Sequence, residues 1–170
     1  MSSLKNTKDK TEIISIFSKM REIMNNKIST HFLNEKTFIY NNYLVANEDR
    51  EIRKICSDVV ISAINHSNGQ FNSYLEFIEN YLPRSISNWP RFDEFLLPLV
   101  YIIEKKSNRI DKKKWATILI DFLGKTLPNS QNIQIFLLIK LDSIYKCLNI
   151  LFSDEDSSLI RNEFESTIFS

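Results

Sequence analysis

Four side chains in this sequence have nucleophile or metal-ligand chemistry of their own: Cys56, Cys147, His31 and His66. A zinc site needs several Cys, His or carboxylate ligands at short spacing, and a nucleophilic thiol needs a neighbour that lowers its pKa. Neither histidine lies in an HExxH run and no CxxC pair occurs. Each cysteine sits inside an apolar helical pattern, where a thiol packs as a small hydrophobe. Catalysis would require His31 or His66 to meet an acid or a cysteine in a concave pocket. Paired acids occur at Glu48 with Asp49, at Asp93 with Glu94, and across Asp154, Glu155 and Asp156. All fall at or near expected helix starts, where a carboxylate meets the positive end of the helix dipole. Gly69 and Gly124 are the two glycines of the chain. Dinucleotide turns, P-loops and kinase lids need several, because their backbone must approach phosphate closely or take positive φ. The expectation is a non-enzymatic protein with no metal, cofactor or small-molecule substrate.

Charge offers a second chemistry. The stretch "EKKSNRIDKKK" places Lys105, Lys106, Arg109, Lys112, Lys113 and Lys114 against Glu104 and Asp111, a local net of +4 in a chain of net +1. It reads as an exposed loop between two helices. Screening confines exposed charges to about 8–10 Å, so such a loop can grip phosphate although the whole chain is neutral. No aromatic residue interleaves these cations, so base stacking has no platform there. The alternative is a solvated loop that binds nothing. The last segment has the opposite sign: Asp154, Glu155, Asp156, Glu163 and Glu165 outweigh Arg161 for a local net of −4. A third feature is "SISNWPRFDEFLLPLV", where Trp89, Arg91 and Asp93 precede an apolar helix. Tryptophan and arginine often anchor a protein partner. Trp89, like Trp115, can equally pack a helix entry.

The elements that must carry these groups are helices throughout. Apolar residues recur at helical spacing, and strand-like alternation is never sustained. A first helix over about 9–27 aligns Ile13, Ile16, Phe17, Met20, Ile23 and Met24. Asn34 can cap a second, reaching about Ala46, with Phe38, Ile39 and Tyr43 inward. A third carries Ile52, Ile55, Cys56, Val59 and Ala63, and stops at His66 to Gly69. A fourth aligns Phe71, Tyr74, Leu75, Ile78, Tyr81 and Leu82 before Pro83. Pro98 lies inside the fifth and should kink it near Glu94. Asp111 caps the sixth, with Trp115, Ile118, Leu119 and Phe122 inward and an end near Gly124 and Pro128. The seventh, about 131–151, is apolar over most of its circumference and should be the central helix. Ser153 with Asp156 resembles a capping box for the eighth.

With 170 residues, 43% apolar and 25% charged, the chain is long enough for one core and neither disordered nor fibrous. The expected organisation is a flexible segment over 1–8 and a single α-helical domain over 9–170. The polar residues Met1 to Lys10 do not form a secretory signal, and no run approaches the ~18 apolar residues of a membrane span. Buried free cysteines favour a reducing, intracellular compartment.

Two stretches carry a resemblance. "NEDREIRKICSDVVISAI" is similar to a HEAT unit, in which a short acidic turn precedes a helix opening on an Ile-Arg or Val-Arg pair, here Asp49, Ile52 and Arg53. "WPRFDEFLLPLVYII" resembles a segment of the eukaryotic nucleolar ribosomal-RNA-processing protein family. Arg91, Asp93, Phe95, Leu96 and Leu97 follow that family's order, with Glu94 in place of its Lys. Residues 115–128 look like its next helix, and residues 139–148, with Asp142, Ile144 and Tyr145, like the one after. The resemblance spans about 35–150; Phe38 to Leu44 stands where the family has a Trp-Lys-Gly-Leu segment.

The resemblance implies an α-helical, non-enzymatic protein of the nucleolus, bound to large-subunit precursor particles. The combined expectation is an all-α fold of about eight helices in antiparallel pairs, HEAT-like or an irregular bundle. It acts as a scaffold among the proteins of a larger assembly, with ribosomal RNA at the basic loop and no membrane. A protein-only adaptor that binds a partner helix or peptide, in the cytoplasm if not the nucleolus, is the alternative.

Overall fold

The structure, a computed structural model, describes residues 4–26, 36–82, 94–126 and 146–153, together with residues 162 and 166. The protein is all-α, with no strand among the described residues. Seven helical elements are described where the sequence suggests about eight. They are α1 (Lys10–Asn25), α2 (residues 36–39 continuing into a π-helical Tyr40–Val45), α3 (Arg50–His66), α4 (Asn68–Tyr81), α5 (Leu97–Lys106), α6 (Lys112–Thr126) and α7 (residues 146–151). Three 3-10 turns, Leu4–Asn6, Glu94–Leu96 and Ser107–Arg109, join them. The expected caps at Asn34 and near Pro90 and most of the apolar run 131–151 lie outside the described residues.

Helix starts use one recurring device. The first N–H groups of a helix lack intrahelical acceptors, and a short oxygen-bearing side chain supplies one. Asp9 Oδ1 accepts from the Thr11 and Glu12 amides (2.8 and 3.1 Å). Asp49 Oδ1 does the same for Glu51 and Ile52 (2.9 and 3.4 Å). Ser67 Oγ accepts from Gln70, and Asp111 Oδ1 from Lys114 (3.0 Å). α3 stops at His66 as expected, and Asn68 and Gly69 open α4 directly after the Ser67 cap.

At Glu94, where a kink is expected from Pro98, the backbone is a 3-10 turn, and what precedes it lies outside the described residues. α5 begins at Leu97, after the 3-10 turn Glu94–Leu96, so Pro98 occupies the first helical turn. Its missing N–H has no intrahelical partner to lose there, and the helix runs on unbroken. The described part of α6 runs to Thr126, between Gly124 and Pro128, where its end is expected.

The chain divides into two compact units, residues 1–78 with 91–98 and residues 79–90 with 99–170. In the first, α3 packs against α1, α2 and the Glu94–Leu96 turn. Phe17 of α1 is fully buried and meets Tyr43 edge-on, centroids 5.3 Å apart. The wide π turn lets the consecutive residues Tyr43, Leu44 and Val45 all bury. Asn42 Nδ2 donates to Phe38 O (2.9 Å), and the Tyr43 hydroxyl donates to Leu4 O (2.7 Å) over the buried Leu4. Tyr74 of α4 is buried beside Tyr40 and donates its hydroxyl proton to Phe95 O. The second unit buries Leu99, Ile102 and Ile103 of α5, Trp115, Leu119 and Phe122 of α6, and Cys147, Leu148 and Leu151 of α7. Trp115, open in the sequence between a packing role and a partner anchor, is part of this core.

Candidate functional site

The basic stretch 104–114 is not one loop. Lys105 and Lys106 close α5, Ser107–Arg109 is a 3-10 turn, and Lys112, Lys113 and Lys114 form the first turn of α6. The cause is Asp111, whose cap starts α6 at Lys112 and draws three lysines into the helix. Cations at the end of α5 complement its dipole, whereas those at the start of α6 oppose theirs, a cost accepted on an exposed surface.

The six cations divide by what they touch. Lys114 Nζ is 2.9 Å from Glu79 Oε1, tying the start of α6 to the end of α4. Lys112 Nζ donates to Ser153 Oγ (3.3 Å), beside the end of α7. Lys105, Arg109 and Lys113 are exposed and Lys106 is half-buried. Among the described residues, no acid pairs with Lys105, Lys106 or Lys113. These three and Arg109 span nine residues, so even fully extended they would cover less than about 30 Å. The partner anchors expected at Trp89, Arg91 and Asp93 lie outside the described residues.

Glu94 has a role the sequence did not suggest. It is no dipole-facing surface acid: only 2% exposed, it accepts from Arg53 Nε through Oε2 (3.0 Å) and from Arg50 Nε through Oε1 (2.9 Å). Arg53 is itself 6% exposed and donates through Nη1 to the carbonyls of Asn47 and Glu48 (2.7 and 3.0 Å). One buried guanidinium thus binds the turn before α3 to the turn before α5. The available signal was the placement of Arg50 and Arg53 three apart on one helix face, with an acid inside the apolar run "FDEFLL". Of the likeness to a HEAT unit, Asp49 serves as cap, Ile52 as core and Arg53 as this clamp.

The same unit holds an open cleft of about 650 Å³, lined among others by Leu4, Lys10, Phe38, Tyr43, Glu48 and Asp49. Lys10 Nζ bridges Asp49 Oδ2 (2.9 Å) and Glu51 Oε2 (2.7 Å) at its edge. Those bonds, Glu51 first and then Asp49, raise the lysine above its ordinary pKa, and Lys10 holds the Asp49 carboxyl below its own. Lys10, Asp49 and Glu51 thus satisfy one another's charge at that edge.

The remaining reactive groups are withdrawn from solvent. Cys56 is completely buried, and burial pushes its thiol far up. Cys147 is pushed up to about 12 by burial, with a further contribution from the charge of Glu104. His66 is exposed at the last turn of α3, and His31 lies outside the described residues. No cluster of His, Cys, Asp and Glu fit to hold a metal occurs among the described residues, and no helix there is long and apolar enough to cross a membrane. No protein-family model, curated protein or solved structure matches the chain.

Proposed function

We propose that this protein is a non-enzymatic helical scaffold that meets RNA phosphate through Lys105, Lys106, Arg109 and Lys113. The observation that carries the reading is the division of the basic stretch: two lysines are held by groups of their own unit, while Lys105, Arg109 and Lys113 are exposed and Lys105, Lys106 and Lys113 form no ion pair with a described acid. Cations arranged this way bind phosphate by charge, without reading bases. The non-catalytic part is supported by the cysteines, whose raised pKa values keep them as neutral thiols at physiological pH. The resemblance to the nucleolar ribosomal-RNA-processing family supplies the assembly, a large-subunit precursor particle. Gradient sedimentation of tagged protein tests this. Co-migration with large-subunit precursors is expected, and migration only as free protein refutes it.

The ion pair between Lys114 and Glu79 favours a second reading, in which the lysines are structural and the protein is a protein-only adaptor. In that case binding to a partner polypeptide persists in ~0.5 M salt, where phosphate contacts fail.

A further inference from the structure

We propose that Ser153 is a phosphorylation site, and that its phosphate is received by Lys112 and weakens the basic surface for RNA. Among the serines and threonines of the sequence, Ser153 alone is followed by three consecutive acids, Asp154, Glu155 and Asp156. A serine so flanked suits a protein kinase whose substrate groove is lined by cations. The hydroxyl is accessible: Ser153 is exposed at the turn closing α7, and its Oγ donates to Ile150 O (2.7 Å) while accepting from Lys112 Nζ at 3.3 Å. Both bonds are solvent-exposed, so surrendering the first to a kinase costs little.

In the reaction the Ser153 oxygen attacks the γ-phosphorus of a nucleoside triphosphate supplied by the kinase. The new O–P bond replaces the bond between the γ-phosphorus and the bridging β–γ oxygen. The nucleoside diphosphate leaves, and the hydroxyl proton passes to the kinase's base. The product carries a charge of about −1.5 to −2 at pH 7. It stands where an ammonium group already approaches the oxygen, so it gains a charge-assisted bond on formation. Lys112 adjoins Lys113 and lies three residues from Arg109, so the same phosphate offsets up to half of the local +4 of residues 104–114. The weakening of RNA binding rests on the function proposed above, whereas the modification and its capture by Lys112 do not.

The test uses the full chain, an acid-directed serine/threonine kinase and ATP. Phosphate at Ser153 by peptide mass spectrometry, lost when Asp154, Glu155 and Asp156 are changed to the amides, is expected. An unmodified Ser153, or modification indifferent to those acids, overturns the proposal. By phosphorus NMR, the second pKa of the phosphate should be higher in Lys112→Ala than in the native chain; equal values overturn the capture. In a fluorescence titration with duplex RNA, the phosphorylated chain should bind more weakly, with a salt slope smaller by about 1–2. Unchanged affinity, where the unmodified chain binds, refutes the regulatory part. If the unmodified chain binds no RNA, the function proposed above fails instead, and the mass and NMR results still decide the modification.

Discussion

Removing the carboxylate of Glu94 is the most informative perturbation of the fold. In Glu94→Ala, Arg53 keeps the carbonyls of Asn47 and Glu48 but loses the charge that balances its own at 6% exposure. Breaking a buried pair by deleting one partner costs about 3–5 kcal/mol, because the surviving charge is left in low dielectric. The other arginine sets the scale. The Arg50 side chain is 74% exposed although its Nε lies 2.9 Å from Glu94, so Arg50→Ala should cost at most about 1 kcal/mol. At ~2–4 °C per kcal/mol for a chain of this size, Glu94→Ala should melt roughly 6–20 °C below the native protein and Arg50→Ala at most about 4 °C below it. Urea denaturation followed by circular dichroism gives the free energies directly. The double variant Arg53→Met with Glu94→Leu should remain destabilised, because two carbonyls lose their donor whatever happens to the charge. Glu94→Ala within about 1 kcal/mol of the native protein, or no worse than Arg50→Ala, would refute the assignment of this pair as a clamp.

Other outcomes follow from the same contacts. Tyr43→Phe removes the bond to Leu4 O and should cost about 1 kcal/mol, measured by urea denaturation. Phe17→Ala empties a fully buried site and should cost about 3–5 kcal/mol in the same assay. With the Cys147 pKa near 12 and that of Cys56 also raised, a thiol reagent at pH 8 should label neither cysteine in the native protein and both in urea. Their contribution to stability is fully present below the ordinary thiol value of 9.0. It declines as pH rises from there towards the folded values, because the unfolded chain ionises first.

Much of the fold was legible because local rules decide it. The Asp49 and Asp111 starts, most of the inward residues of α3, α4 and α6, half of those of α1, and the all-α class follow from short-range capping chemistry and from helical periodicity. What was misread depends on where an element begins: in the basic stretch, Asp111 turns three expected loop lysines into a helical turn. Glu94 was hard to read in a different way: its partners lie 41 and 44 residues away, and the arginine spacing and the acid in an apolar run do not by themselves pair them. Within the candidate site, sequence identified the six cations; that Lys114 meets Glu79 and Lys112 meets Ser153 depends on contacts made only by folding.

The central claim is that Lys105, Lys106, Arg109 and Lys113 bind RNA phosphate, and the salt dependence of binding tests it most directly. Four contacts give a slope of log affinity against log salt of about −3 to −3.6, a loss of roughly 50- to 150-fold between 50 and 200 mM salt. Replacing Lys105, Lys106, Arg109 and Lys113 with Ala should abolish that dependence, whereas Lys114→Ala should leave most of it. No measurable binding at 50 mM salt, or a slope unchanged in the fourfold variant, would contradict the account.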